Sequence, residues 1–134
     1  MRYLLDTNQV LFICQQPERL TKQGQDLMWA RETELLVSAA AFFEIAIKHR
    51  SKTPDGLTKL PLKRPPADML GYLAAKGVRG LPIEPHHSWT TLETEPGHAD
   101  PFDWLLLQQC QAEGLLLLTS DRNLKEHPLA AFVG

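Results

Sequence analysis

Two rhythms of apolar residues alternate along the chain. Short apolar runs bounded by polar or turn residues read as buried strands at Tyr3 to Leu5, Glu34 to Val37, Leu81 to Ile83 and Leu115 to Leu118, the last being the clearest central strand. Between them lie stretches with helical spacing. Val10 to Cys14 predicts a short apolar helix ended by Pro17, and Thr21 is placed to cap a second helix over Lys22 to Arg31. Ser38 caps a third over Ala39 to Arg50, where Phe42, Phe43, Ala46 and Ile47 recur at helical spacing and Lys48, His49 and Arg50 close the basic end. A fourth runs from Ala67 to Lys76 with Gly77 as its stop, and His86 to Glu93 has room for one or two turns. Phe102 to Glu113 predicts a long helix with Phe102, Leu106 and Cys110 on one face and Gly114 at its end. A short helix over Arg122 to Glu126 precedes the apolar tail Leu129 to Val133. Loops are expected over 51–66, where five Pro and Gly residues preclude a continuous helix, and over 95–101.

Strands that alternate with helices predict an α/β domain: a three-layer α/β/α sandwich around a mainly parallel sheet, with residues 1–134 forming one unit. The 134 residues, 43% hydrophobic and 22% charged, suffice for one core. A formal net charge of -2 excludes nucleic-acid binding by bulk electrostatics, so any phosphate contact has to be local or bridged by a cation. Cys14 and Cys110 form neither a CxxC pair nor a zinc pattern and read as buried thiols, with a single disulfide between them left open. Asp6 interrupts the first apolar run, which is unlike a secretory leader, and no run is long enough for a bilayer; the cytoplasm is the expected compartment.

In open parallel sheets, polar function collects at the carboxyl ends of strands. Asp6 and Asp121 each follow a strand, where a lone Asp would ordinarily be a turn residue or helix cap. Glu44 sits inside the most apolar helix, where a charge is costly to bury unless paired or metal-bound. Asp100 and Asp103 flank a helix start; Asp100 suits the cap, and Asp103 lies one turn before Leu107. Convergent carboxylates repel each other and call for a divalent cation, and an oxygen-only donor set suits Mg²⁺ or Mn²⁺ over zinc. Such an ion can activate water and meet a phosphodiester. His86, His87 and His98 are rival candidate ligands, but there is no HExxH pattern and surface or structural roles fit them better. Ser38 and Ser120 lack a nucleophile-elbow context, and neither a P-loop nor a GxGxxG is present.

Four segments taken in order resemble the PIN-domain nucleases, and within them the VapC-type toxins of bacterial toxin–antitoxin pairs. They are Leu4-Leu5-Asp6-Thr7-Asn8, Ser38 to Lys48 around Glu44, His98-Ala99-Asp100-Pro101-Phe102-Asp103, and Leu118-Thr119-Ser120-Asp121-Arg122-Asn123-Leu124. The resemblance implies Asp6, Glu44, Asp103 and Asp121 as catalytic, metal-binding acids, supported by Asn8, Thr119 and Asp100. It further implies Mg²⁺- or Mn²⁺-dependent endoribonuclease activity, dimerisation and a cognate antitoxin. Lys48, Arg50 and the basic loop that follows are candidate RNA contacts. Trp104 departs from the pattern, standing where this branch usually carries Arg, and is a candidate for base stacking or an interface. Two alternatives remain at this level: a non-catalytic module that binds antitoxin or RNA, and a PIN nuclease of RNA maturation or acting on DNA.

Overall fold

In the computed structural model, which describes residues 1–98 and 100–134, five strands form one sheet. Ala99, part of the third acidic motif and of the expected 95–101 loop, lies outside the described residues. The strands are Arg2–Leu5 (β1), Glu34–Ser38 (β2), Arg79–Leu81 (β3), Leu116–Thr119 (β4) and Ala130–Phe132 (β5). Their order is β3-β2-β1-β4-β5, and every pairing is parallel. The chain builds outward from β1 to one side, then returns to add β4 and β5 on the other. The reversal therefore falls between β1 and β4, where open α/β sheets leave a crevice at the strands' carboxyl ends.

Because successive side chains on a strand point to opposite faces, each apolar run feeds two cores. Tyr3, Leu5, Leu35, Val37 and Leu118 pack on one face with Val10, Ile13, Met28, Met69 and Leu73. Leu4, Leu36 and Leu117 pack on the other with Leu106, Leu107 and Cys110. Helices Thr7–Gln15 (α1), Lys22–Met28 (α2) and Pro66–Ala75 (α4) cover the first face, and Pro101–Glu113 (α6) covers the second. Ala39–Arg50 (α3) serves both, Ala41 and Ile45 facing the first core and Ala40 the second. Pro85–Ser88 (α5) is a single turn beside α6. Cys14 and Cys110 are free, buried and in opposite cores, so the open disulfide alternative is excluded.

Several expected boundaries move, each for a local reason. α1 starts at Thr7 rather than Val10, because the Asp6 carboxylate caps it and draws the polar Thr7-Asn8-Gln9 into the first turn. α2 stops at Met28 instead of Arg31, and Glu32 turns the chain toward β2 with a left-handed φ of 68°. β3 lies two residues before the predicted Leu81 to Ile83, since its exposed edge residues Arg79 and Gly80 carry no apolar signal. α5 and the turn Arg122–Leu124 are shorter than expected. The tail becomes a fifth strand when Val133 N donates to Thr119 O at 2.9 Å. Gly114 ends α6 in the left-handed region with φ of 68°, as expected for this residue.

One buried polar link sets α3 against α6. The Ser38 hydroxyl accepts from Ala40 N at 2.9 Å and donates to the Gln109 side-chain oxygen, while Gln109 Nε2 donates to Pro82 O at 3.2 Å. Ser38 and Gln109 are fully buried. Gln109→Leu strips partners from the Ser38 proton and the Pro82 carbonyl, and should lower unfolding free energy by about 2 kcal/mol. Urea denaturation measures this; an unchanged midpoint would show the link to be energetically idle.

Candidate functional site

Asp6 leaves the end of β1 and turns directly into α1. Its backbone N–H bonds to Leu118 O at 2.9 Å, which seats the residue across the β1–β4 crevice. Its carboxylate accepts from Thr7 N at 2.8 Å and from Thr119 Oγ1 at 2.7 Å. The residue is only 4% exposed, and its carboxyl is pushed up from 3.8 to about 6. Burial is the main cause and outweighs the two hydrogen bonds that favour ionisation; the negative charges of Asp103 and Asp121 add smaller upward contributions.

Thr119 joins two acids, because its hydroxyl also accepts from Asp121 N at 3.0 Å. Asp121 caps the following turn, its Oδ1 accepting from Asn123 N at 2.9 Å. From α3, the buried Glu44 brings a third carboxylate. Thr7 Oγ1 donates to its Oε1 at 2.8 Å, and Lys48 Nζ donates to its Oε2 at 2.7 Å from the next helical turn. Asp103, in the first turn of α6, faces His98 Nε2 at 2.6 Å through Oδ2. Burial raises the Asp103 carboxyl, with Asp100 and Asp121 repelling its charge and His98 opposing the shift. The hydrogen bond to Asp103 in turn raises the His98 imidazole.

Asp6, Glu44, Asp103 and Asp121 thus come from four elements and line one cavity of about 120 Å³ together with Asn8, Lys48 and Asp100. Asp100 also caps α6, as expected, by accepting from Phe102 N at 2.9 Å. Thr119 supports Asp6 from beneath. Arg50 is exposed at the end of α3 and outside this lining. Trp104 is outside it as well: half-buried against the α6 core, it donates its indole N–H to His98 O at 2.9 Å. The indole therefore braces the segment that carries His98. In the basic loop, the Arg64 guanidinium stacks on Tyr72 at 3.8 Å.

Thr7 and His98 contact the acids of the site without being marked as site residues by the sequence. Thr7 carried no signal beyond adjacency to Asp6, and its partner Glu44 is 37 residues away. The pair His86–His87 lies at the other end of α6, with Glu113. His87 Nδ1 accepts from Glu84 N at 2.9 Å, so its proton sits on Nε2, which donates to Glu113 at 2.8 Å. Neither ring nitrogen keeps a lone pair for a metal; the buried His87 ties α5 to α6.

The acid cavity, by contrast, fits a hard divalent cation. Its acidic side chains offer oxygens, Asp121 Oδ2 and Asp103 Oδ1 take no hydrogen bond from the described residues, and the Asp6 carboxyl, raised mainly by burial, is further repelled by Asp103 and Asp121. No described helix is long and apolar enough to cross a membrane.

Comparison with known proteins bears on the fold and the family. No curated protein sequence matches the chain significantly. Among solved structures, the crystal structure of VapBC2 from Rickettsia felis bound to a DNA fragment from their promoter contains a similar chain. The match has a TM-score of 0.64 over 98% of this chain and 97% of that one, at 16% identity, and it reflects a shared fold. The PIN domain family model matches residues 3–128, nearly the whole length, and the chain belongs to the PIN domain family.

Proposed function

We propose that this chain is a Mg²⁺- or Mn²⁺-dependent endoribonuclease that serves as the toxin of a toxin–antitoxin pair. The observation that carries the proposal is the convergence of Asp6, Glu44, Asp103 and Asp121 on one polar cavity at the strand-order reversal. When bound, the ion would supply charge neutralisation for the phosphodiester and lower the pKa of water in the site. Asp103 and Asp121 each offer it an open oxygen, and Asp6 adds a carboxylate held in place by Thr7 and Thr119. Those hydroxyl and amide donors orient the acids without adding charge. A chain of net charge -2 meets an RNA backbone locally, at the cation and at nearby basic side chains.

The remaining partners are part of the same proposal. The similar solved chain belongs to a complex named VapBC2, which supports a protein antitoxin as partner here. A homodimer is the expected assembly.

Incubating purified, antitoxin-free protein with a mixed RNA pool and matched single-stranded DNA tests the activity. Cleavage of RNA should appear with Mn²⁺, vanish with EDTA and return on adding the ion back. Asp103→Asn, which keeps shape and removes charge, should stop cleavage while the fold survives. Undiminished cleavage in EDTA would sink the metal dependence. Silence toward every RNA would favour a binding module, and cutting of DNA alone would reassign the substrate.

A further inference from the structure

We infer that Lys48 is a resident cation of the acid cavity, standing in for a second metal, so that the site takes one divalent ion. The inference rests on the metal-site reading above. Glu44 and Lys48 lie one turn apart on α3 and share a helix face, an arrangement that on an open surface contributes little. Here the two ends differ. The Lys48 side chain is 54% exposed, whereas the Glu44 side chain is 10% exposed and lines the cavity with the other acids. A buried carboxylate depends on its counter-charge far more than an exposed one does.

The oxygens of the four acids are also not equivalent. Both oxygens of Glu44 are committed, one to the Thr7 hydroxyl and one to the Lys48 ammonium at 2.7 Å. Both oxygens of Asp6 are held by neutral donors, an amide and a hydroxyl. Asp103 and Asp121 each keep one oxygen clear of the described residues. The Lys48 ammonium therefore supplies a permanent positive charge on the α3 side of the cavity; on the α6 and β4 side His98 faces one oxygen of Asp103, and the clear oxygens of Asp103 and Asp121 are left for an external cation. Two-metal nuclease sites place a second ion beside the first to balance a cluster of carboxylates. In this chain a side chain already occupies that role at Glu44, and a second ion would have to displace it.

Counting bound Mn²⁺ on the antitoxin-free chain, by titration with electron paramagnetic detection of free ion, tests this without reference to activity. The native chain should saturate at about one ion, and Lys48→Gln, which removes the charge and keeps the length, should rise to about two. Lys48→Arg, which restores the charge, should return the count to that of the native chain. Two ions on the native chain, or no second ion on Lys48→Gln with its fold verified by circular dichroism, would overturn the inference. No Mn²⁺ bound to the native chain would defeat the metal-site reading itself, a separate outcome.

Discussion

Asp6→Asn should lower RNA cleavage roughly 10³-fold, the scale of losing a key electrostatic contact in an active site, while making the metal-free chain more stable. The two effects share one cause. Asp6 is 4% exposed, and its carboxyl titrates at about 6 because burial and the charges of Asp103 and Asp121 oppose ionisation. Above that pH the folded, metal-free chain holds a buried charge that the unfolded chain keeps in water. A rise of roughly two units corresponds to about 3 kcal/mol against the fold. Asn keeps the cap on Thr7 N and a partner for Thr119 but carries no charge. About 2 kcal/mol should return, allowing for imperfect amide geometry. Cleavage rates at saturating Mn²⁺ and urea melts in EDTA near neutral pH measure the two effects. Asp6→Asn that cuts RNA within fivefold of the native rate would remove Asp6 from the catalytic set; lower stability would show that its charge is compensated in the fold.

The second large effect is a reversal of pH dependence on adding metal. For Asp6 the folded value, about 6, lies above the ordinary 3.8, so the folded state holds its proton more tightly than the unfolded one. Its favourable contribution is complete below about pH 4 and is lost as pH rises through about 6. Asp103 is raised and acts in the same direction. Metal-free stability should therefore fall across this window, and Asp6→Asn should flatten much of the slope. A divalent ion binds the ionised carboxylates, so its stabilisation grows as they lose their protons. Thermal melts should show Mn²⁺ raising Tm by several degrees near pH 7.5 and by little near pH 5. Equal shifts at both pH values would separate metal binding from these acids.

How far the site was legible in the sequence depends on how local each signal is. Asp6 and Asp121 were visible as acids that follow apolar strand runs, and Glu44 as a charge inside an apolar helix. Asp100 as a helix cap was legible from its place before Pro101-Phe102. Thr7 and His98 were not, because a hydroxyl or imidazole acquires meaning only from the carboxylate it meets. Trp104 looked like a candidate for RNA or an interface; in the fold its indole N–H is spent on His98 O. The His86–His87 pair could be assigned to structure from the lack of a metal pattern, but the His87 tautomer that settles it is fixed by the Glu84 amide, which donates to Nδ1 and leaves the ring proton on Nε2.

The sequence by itself determined the elements whose cues are short-range. α3 starts after Ser38 and ends at Arg50, and α6 runs from its Asp100 cap to Gly114, because capping and left-handed glycine act within one turn. It also determined that the sheet is parallel and covered on both faces, since apolar strand runs alternate with helices. Only the tertiary structure decided the strand order, the edge position of β3 and the pairing of the tail as β5, because those bonds join residues with no local pattern in common. It alone brought four acids from four elements to one cavity and set Lys48 against Glu44 beside them. Carboxylates gathered so closely oppose folding by themselves, and the packing of two apolar cores holds them together.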